Sequence, residues 1–370
     1  MPVVPYAARH HGGIHTETLN GSGKNTQLIS PGGHSFLPRR AVAGHNPQRP
    51  PPFNALAFVG PTGYPPPVKF QKLAIIGVGL LGGSVGLAVR QRRLAGEVAG
   101  YVRRSASLAE CEQAGALDYA TTDVLAAVSQ ADLVILCTPL GQMRAITTQL
   151  LPALKAGAIV TDVGSTKESV IRDVETLVTR AGAHFVGSHP MAGGEKSGVL
   201  AGRADLFDDA ICVITPTKKS HAPSVKAVTA FWQTLGARTI LMSAREHDVL
   251  VGRSSHLPHV VAAALASQVL RPQHPPAQGK LCATGFRDTT RIASGSPEMW
   301  RDICLANRTN LARAVGSYIT ELAKFQTALD KADGPAIAKF FAIAKQRRDE
   351  WGAEGSETSK FNMQTSEKLQ

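Results

Sequence analysis

The sequence is poor in cysteine, in acidic residues and in aromatic residues, and it has no long apolar run. Its five cysteines are scattered without a Cys-x-x-Cys pair, which excludes a disulfide framework and a cysteine zinc cage and is typical of a reducing compartment such as the cytoplasm. No apolar run approaches the roughly 20 residues that cross a bilayer. We therefore expect a cytoplasmic protein without a membrane partner and without a bound metal.

The shortage of acidic residues leaves a formal net charge of +12, from 40 Lys and Arg against 28 Asp and Glu. Residues 1–69 hold six of these bases and a single acid, Glu17, a surplus of five. The remaining excess is spread thinly, with no basic stripe and few interleaved aromatic residues, which make up 5% of the chain. This distribution argues against a nucleic-acid partner and suits an anionic substrate and cofactor.

Changes of composition divide the 370 residues into four segments. Residues 1–69 contain 12 of the 23 prolines, nine glycines and five of the twelve histidines, which predicts a disordered leader because such a segment cannot supply a packed core. Residues 70–243 alternate short Val/Ile/Leu runs with helical stretches, whereas residues 244–351 have the periodicity of long helices. Residues 352–370 form a polar tail.

The alternating pattern predicts an α/β Rossmann domain, a doubly wound and mostly parallel sheet, followed by an all-α domain. The helices after residue 243 are too apolar to stay solvated, so we expect them to pair with a second copy of the chain as a homodimer. The clearest helices between strands are Gln142–Leu154 and Ser224–Leu235. The predicted strands are Leu73–Ile76, Val98–Val102, Leu133–Cys137, Ala158–Asp162, His184–Gly187, Ile211–Thr215 and Thr239–Met242.

A glycine-rich loop of the form GxGxxG follows the first predicted strand and opens a helix, which is the context that dinucleotide binding requires. Gly77 would make the tight turn, Gly79 would let backbone N–H groups approach a pyrophosphate, and Gly82 would allow close packing of helix on strand. The alternative is a glycine-rich turn without a ligand. The loop residues assigned to the cofactor are Gly77, Val78, Gly79, Leu80, Leu81 and Gly82.

The end of the second predicted strand bears on which cofactor is used. NAD enzymes usually carry an acid there for the ribose 2′-hydroxyl, but this chain has Val102 followed by Arg103, Arg104 and Ser105. Two guanidinium groups and a hydroxyl suit a 2′-phosphate, so we predict NADP in preference to NAD. The alternative is that Arg103 only stacks on the adenine.

Two polar segments follow later strands, at the sheet edge where the sites of open α/β sheets form. Ser165 lies in TDVGSTK, and His189 lies in GSHPMAGGEKSG. A histidine fixed between Ser188 and Pro190 at a strand end, on a glycine-rich loop, suits a general base near neutral pH. From this residue alone, a purely structural loop histidine is the alternative.

Five motifs, in this order, resemble the prephenate/arogenate dehydrogenase family of tyrosine biosynthesis: GVGLLGGS, TDVGSTK, GSHPMAGGEKSG, SHLPHVVA and GFRDTTRIASGSPEMW. The resemblance covers residues 72–351. It implies the oxidative decarboxylation of prephenate to 4-hydroxyphenylpyruvate, with hydride passing to a nicotinamide. His189 would take the proton of the ring hydroxyl, and Ser165 would orient that histidine or the hydroxyl.

The resemblance also implies roles for further residues in both domains. Arg291 would clamp a substrate carboxylate, and His259 would face the substrate. Glu195 would lie at the pocket's mouth in a gating or selectivity role. His256, three residues before His259, is interpreted as a packing or supporting residue, and Trp300 as an aromatic near the site or the subunit interface. Thr138 and Pro139, which follow the strand ending at Cys137, are assigned to the cofactor site.

Three alternatives stay open at this stage. An arogenate or dual-specificity cyclohexadienyl dehydrogenase would act on arogenate, which carries an amine where prephenate has a keto group. The EKSG segment favours prephenate without deciding between the two substrates. A β-hydroxyacid dehydrogenase would need a lysine base that SHLPH and FRDTTRIA do not match. A non-catalytic NADP-binding regulator would not need Ser165, His189, His259 or Arg291. The residues after Trp351 are too few for an amino-acid-binding ACT domain, so we expect none.

Overall fold

The fold is that of a computed structural model, which describes the backbone of residues 69–367 and the side chains of residues 69–352. The predicted leader therefore lies outside the described residues, apart from Lys69. The strands are β1 (Phe70–Ile76), β2 (Ala95–Tyr101), β3 (Tyr119–Thr121), β4 (Leu133–Leu136), β5 (Ile159–Asp162), β6 (His184–Pro190), β7 (Ile211–Thr215) and β8 (Arg238–Leu241).

Thirteen α-helices occur in the described residues. They are α1 (Leu80–Gln91), α2 (Ala106–Ala114), α3 (Val124–Val128), α4 (Leu140–Leu150), α5 (Glu168–Arg180), α6 (Ala222–Thr234), α7 (Ala244–Val251), α8 (Leu257–Val269), α9 (Ala277–Lys280), α10 (Thr284–Thr290), α11 (Pro297–Ala306), α12 (Arg308–Asp330) and α13 (Gly334–Glu367). Short 3₁₀ turns lie at Leu151–Ala153, Val199–Ala201 and Arg291–Ser294, and a π-helical turn lies at Gly252–His256.

The strands form one sheet in the order β3-β2-β1-β4-β5-β6-β7-β8, and the first six of these are parallel. The chain order reverses between β1 and β4, which is the switch point where dinucleotides bind in Rossmann folds. The predicted fold class is confirmed. β3 was missed by sequence reasoning, because three residues are too short for a periodic signal.

Helices cover both faces of the sheet, so the buried parts of its strands are mostly apolar on both faces. Leu73 and Ile75 of β1 point into one buried cluster, and Ala74 and Ile76 point into the other. All four side chains are fully buried. This explains why the strands appear in the sequence as continuous apolar runs, not as alternating ones.

β7 joins the sheet antiparallel to β6, and β8 lies parallel to β7. Pairing with β7 extends β6 three residues beyond the predicted Gly187, with His189 opposite Val213. His189 was expected on a glycine-rich loop. It lies instead inside the strand, one residue before its end, where the backbone is held by the sheet.

The helical half begins at α7, next to the predicted boundary at residue 244. α12 and α13 pack together through Phe325, Phe340 and Phe341. α13 continues to Glu367, past the expected end of the domain at Trp351. Ile319, Leu322, Leu329, Phe341 and Trp351 on these two helices are exposed.

Among residues 69–367, no helix is long and apolar enough to cross a membrane.

Candidate active site

The glycine loop has the shape expected for a pyrophosphate cradle. Gly77 has φ +100°, and a Cβ there would lie 2.9 Å from the Cys137 carbonyl oxygen. A Cβ at Gly82 would lie 2.2 Å from the Gly77 oxygen, so helix α1 can approach β1 only because this position is glycine. Gly79 precedes α1 with no side-chain cap, and nothing occupies the space over its Cα within 4 Å.

These features fit a dinucleotide. The open space at Gly79 gives phosphate oxygens access to the uncapped N–H groups at the start of α1. Beside the loop, the Thr138 hydroxyl is buried and has no hydrogen-bond partner within residues 69–352. A buried hydroxyl without a partner is costly, and a ribose or nicotinamide amide could supply one. Pro139 follows as the residue before α4.

The end of β2 carries the residues predicted to choose the cofactor. Val102 is buried at 4% exposure, so it presents no polar group to a ribose. Arg103, Arg104 and Ser105 are exposed directly before α2. Neither arginine makes an ion pair within the described part of the chain. Both guanidinium groups are therefore available to an anion at the carboxyl edge of β2.

His189 is buried at the other end of the edge, and its ring is bonded to a second histidine. His189 Nδ1 lies 2.8 Å from His247 Nε2, and His247 Nδ1 lies 2.7 Å from Asp248 Oδ1. The two rings meet edge to face, with centroids 5.0 Å apart. His189 is 7% exposed, whereas His247 and Asp248 are essentially inaccessible. The three residues form a buried relay from α7 to β6.

Asp248 also caps α5, which has no cap from its own side chains. Its Oδ1 accepts a hydrogen bond from Lys167 N at 2.7 Å, and its Oδ2 accepts one from Glu168 N at 3.0 Å. A carboxylate at a helix N-terminus is favoured by the helix dipole. The relay is thus fixed to the loop that carries Ser165.

A buried ion pair supports the backbone of His189 from beneath. Lys167 Nζ pairs with Asp162 and donates to the Ser188 carbonyl oxygen at 2.6 Å, and both charged side chains are fully buried. Asp162 Oδ1 accepts from Ser188 N at 3.1 Å. A buried ion pair is tolerated when further hydrogen bonds satisfy both partners. Here those bonds fix the residue next to His189.

The helical half contributes a second buried histidine. His256, fully buried at the end of the π-helical turn, has Nδ1 3.1 Å from Asn307 Nδ2. Asn307 Nδ2 also donates to the Asp248 carbonyl oxygen at 2.7 Å. The backbone of Ser165 lies beside the His256 ring. His256 Nε2 has no hydrogen-bond partner within residues 69–352.

His259 and Trp300 lie on the accessible side of His256. Trp300 stacks on His259 with ring centroids 3.8 Å apart and meets His256 edge to face at 6.1 Å. His259 Nδ1 donates to the Ser255 carbonyl oxygen at 3.0 Å, which leaves Nε2 as the nitrogen able to accept. The π-helical turn precedes Pro258, which has no N–H for a helical hydrogen bond.

The pair predicted to form the mouth of the site is charged and exposed. Glu195, on the loop after β6, forms an ion pair with Arg291, and the two side chains are 44% and 62% exposed. Together with Arg287, Phe286 and other residues of the helical half they line an open cavity of about 610 Å³. His189, Ser165 and His259 are not among its lining residues. The structure therefore joins Glu195 to Arg291, but it shows no direct contact from this pair to His189.

Burial sets the charge state of the three inner histidines. Burial, aided by the nearby positive charge of Lys167, holds the pKa of His189 well below its usual value. Burial also lowers the pKa of His247, although Asp248 opposes this. For His256, burial lowers the pKa to about 4. All three rings are neutral at pH 7, and a neutral imidazole can accept a proton.

Sequence reasoning missed the groups that support His189: Asp162, Lys167, His247, Asp248 and Asn307. Asp162 and Lys167 stand within the quoted TDVGSTK motif, but nothing in a single sequence shows that they pair in the core. The adjacent His247 and Asp248 are a weaker signal. Within the described residues, no group of three or more His, Cys, Asp or Glu side chains could hold a metal ion.

Comparison with known proteins identifies the family. The family model for the prephenate dehydrogenase nucleotide-binding domain matches residues 85–241, and the model for the prephenate dehydrogenase dimerization domain matches residues 243–343. The chain belongs to the prephenate dehydrogenase family. It is therefore an oxidoreductase of tyrosine biosynthesis with a nucleotide-binding and a dimerization domain, as the motifs predicted.

Individual prephenate dehydrogenase relatives cover most of the chain. The Bacillus subtilis prephenate dehydrogenase is 34% identical over 279 residues, which is 75% of this chain and 75% of that protein. The Zymomonas mobilis cyclohexadienyl dehydrogenase is 35% identical over 283 residues, 75% of this chain and 95% of that protein. The crystal structure of Aquifex aeolicus prephenate dehydrogenase with hydroxyphenyl propionate and NAD+ superposes with a TM-score of 0.71 at 32% identity, covering 76% and 99% of the two chains.

Proposed function

We propose that this protein oxidises and decarboxylates prephenate to 4-hydroxyphenylpyruvate, and that His189 is the general base. The observation that carries the proposal is the buried His189 at the end of β6, hydrogen-bonded to His247 and lying at the same edge of the sheet as the glycine loop. The substrate class follows from the family. The bound nicotinamide supplies the acceptor for the hydride.

His189 handles the proton of the ring hydroxyl. As hydride leaves the carbon that bears the hydroxyl, His189 Nε2 takes the hydroxyl proton. The bond to the ring carboxylate breaks, CO₂ leaves, and the electrons of that bond make the ring aromatic. The protonated His189 then returns its proton to the phenolate oxygen. Because His189 is neutral at pH 7, its lone pair is ready without prior deprotonation.

Arg291 and His259 bind and orient the substrate in this proposal. Arg291 is the exposed guanidinium of the mouth, and its present partner Glu195 shows that a carboxylate can reach it. A substrate carboxylate would displace Glu195 and form a bidentate pair. His259 would face the substrate with Nε2, since its Nδ1 is already bonded to Ser255. Ser165, next to the His256 ring, would orient the hydroxyl.

We further propose that the cofactor is NADP in preference to NAD. Arg103 and Arg104 are exposed before α2 and Val102 is buried, so no acid opposes a 2′-phosphate at this position. The Aquifex aeolicus relative was crystallised with NAD+, so the preference has to be measured on this protein. Two copies of the chain would form a cytoplasmic homodimer, joined through the exposed apolar side chains of α12 and α13.

Steady-state kinetics with purified protein tests the proposal. Prephenate and arogenate are each supplied with NAD or NADP, and the absorbance of the reduced nicotinamide is followed. The expected result is the highest kcat/KM with prephenate and NADP. A higher kcat/KM with arogenate would overturn the substrate assignment, and a higher kcat/KM with NAD would overturn the cofactor assignment. No turnover in any combination would favour a non-catalytic regulator.

A further inference from the structure

We propose that His247 and Asp248 are positioning residues that hold His189 in one tautomer, with the proton on Nδ1 and the lone pair on Nε2. The inference rests on the proposed function of His189 as the base. It assigns the nitrogen that reacts and the residues that select it. Neither His247 nor Asp248 stands in a motif that suggested the reaction.

Asp248 can only accept hydrogen bonds, because an ionised carboxylate has no proton to donate. Its two oxygens already face the backbone N–H groups of Lys167 and Glu168, at 2.7 and 3.0 Å. The third polar contact, at 2.7 Å, is His247 Nδ1. A carboxylate surrounded by donors requires that this nitrogen also donate. His247 therefore carries a proton on Nδ1.

The tautomer of His247 then decides that of His189. Burial lowers the pKa of His247, so the ring is neutral and its Nε2 carries only a lone pair. That lone pair lies 2.8 Å from His189 Nδ1, which must be the donor. His189 is neutral as well, because burial holds its pKa well below the usual value. Its Nε2 is therefore unprotonated.

The relay is rigid, which is what a positioning role needs. Asp248 is held at its carboxylate by the start of α5 and at its carbonyl by Asn307 Nδ2, 2.7 Å away. His247 is fully buried, so water cannot replace it as the partner of His189. When His189 Nε2 takes a proton, the Nδ1–H of His189 stays hydrogen-bonded to His247 Nε2, and the charge of Asp248 stabilises the imidazolium through the second ring. The nitrogen protonated in a histidine is set by the hydrogen bond of the other.

Nitrogen-15 NMR of protein labelled at histidine reads the tautomer directly. The His189 signals are assigned by their loss in His189→Asn. We expect His189 Nδ1 to appear as the protonated nitrogen and Nε2 as the unprotonated one, in the full chain without substrate. A His189 with its proton on Nε2, or with both tautomers equally populated, would overturn the inference. This measurement needs no turnover and no variant of His247 or Asp248.

Two substitutions of His247 separate positioning from packing. His247→Gln keeps an amide oxygen that can accept from His189 Nδ1, whereas His247→Leu fills the space without an acceptor. We expect kcat to fall by about 10²-fold or more in His247→Leu, in the range of general-base effects, with KM for prephenate nearly unchanged. His247→Gln should recover most of kcat. Equal kcat in both folded variants would overturn the inference.

A surface histidine provides the matched control. His184 lies at the opposite end of the same strand, stacked on His221 with ring centroids 4.1 Å apart. His184→Asn should leave kcat and the His189 signals unchanged. A protein that lacks prephenate oxidation but shows the Nδ1-protonated His189 would refute the proposed function while leaving the tautomer assignment standing, so the two failures are distinguishable.

Discussion

The floor and the mouth of the candidate site are built in opposite ways. The floor, formed by Asp162, Lys167, His189, His247 and Asp248, is almost wholly buried, and nearly every polar group in it has a protein partner. The mouth, formed by Glu195 and Arg291, is exposed and held by a single ion pair. The floor therefore has its reactive geometry before a substrate arrives, whereas the mouth must exchange one carboxylate for another.

This contrast predicts that changes at the floor act on turnover and changes at the mouth act on binding. Catalysis gains most from groups that are already oriented in the transition state. Exposed ion pairs contribute little to stability, so the Glu195–Arg291 pair can open at low cost.

The largest effect is expected for His189→Asn. Removing the base should lower kcat by roughly 10²- to 10⁴-fold, the usual contribution of a general base, while KM for prephenate changes little. Steady-state kinetics at saturating cofactor measures both parameters, with His184→Asn as the control on the same strand. Turnover close to that of the unaltered protein would remove His189 from this role.

The mouth should respond in KM. Arg291→Ala should raise KM for prephenate by about 10- to 100-fold, which corresponds to the roughly 1.5–3 kcal/mol of hydrogen bonds to a charged group, and should leave kcat within a small factor. Glu195→Gln is the matched variant, because it frees Arg291 without removing it and should lower KM. If kcat fell and KM did not, the division between floor and mouth would be wrong.

The cofactor edge should give a smaller effect. Arg103→Ser and Arg104→Ser should each raise KM for NADP by about tenfold, the scale of one charge-assisted contact, and leave KM for NAD nearly constant. Val102→Asp should act in the opposite sense and favour NAD, since a carboxylate repels a 2′-phosphate. Parallel loss of both cofactors would show that the arginines only stack on the adenine.

A further effect, on stability and not on kinetics, is expected from His256, which is connected to Asp248 of the floor through Asn307. His256 is buried with a pKa of about 4, so below pH 6.5 the unfolded chain binds a proton that the native protein does not. Stability is therefore full above pH 6.5 and falls toward pH 4, by up to about 1.4 kcal/mol per pH unit for this group. Urea unfolding at pH 7, 6 and 5 should show a shallower pH dependence in His256→Gln. An identical dependence would mean that His256 has the same pKa in the native and the unfolded states.

Much of this molecule could be predicted from its sequence, and the reason differs between its parts. The sheet and the glycine loop are local: β1, the turn at Gly77 and helix α1 are contiguous, and their apolar runs and glycine spacing appear directly in the sequence. β3 escaped because three residues carry no period. The longer β6 escaped because its last residues pair with β7, more than 20 positions away.

The site shows the same division. His189, Ser165, Glu195 and Arg291 lie in motifs that could be recognised from their neighbours in sequence. The supporting residues reach the site from the helical half. His247 lies 58 residues from His189 on β6, and Asn307 lies 59 residues from Asp248 on α7. Only the folded chain shows that a carboxylate on α7 caps α5 and selects the proton position on His189.

The pH dependence of kcat/KM for prephenate tests whether the buried, neutral His189 is the base, because it reports the pKa of the essential base in the free enzyme. Burial holds the pKa of His189 well below its ordinary value. We therefore expect kcat/KM to stay constant as the pH falls through 6.5 and to decline only at more acidic pH. A decline centred at or above pH 6.5 would contradict a buried, neutral His189 as the base.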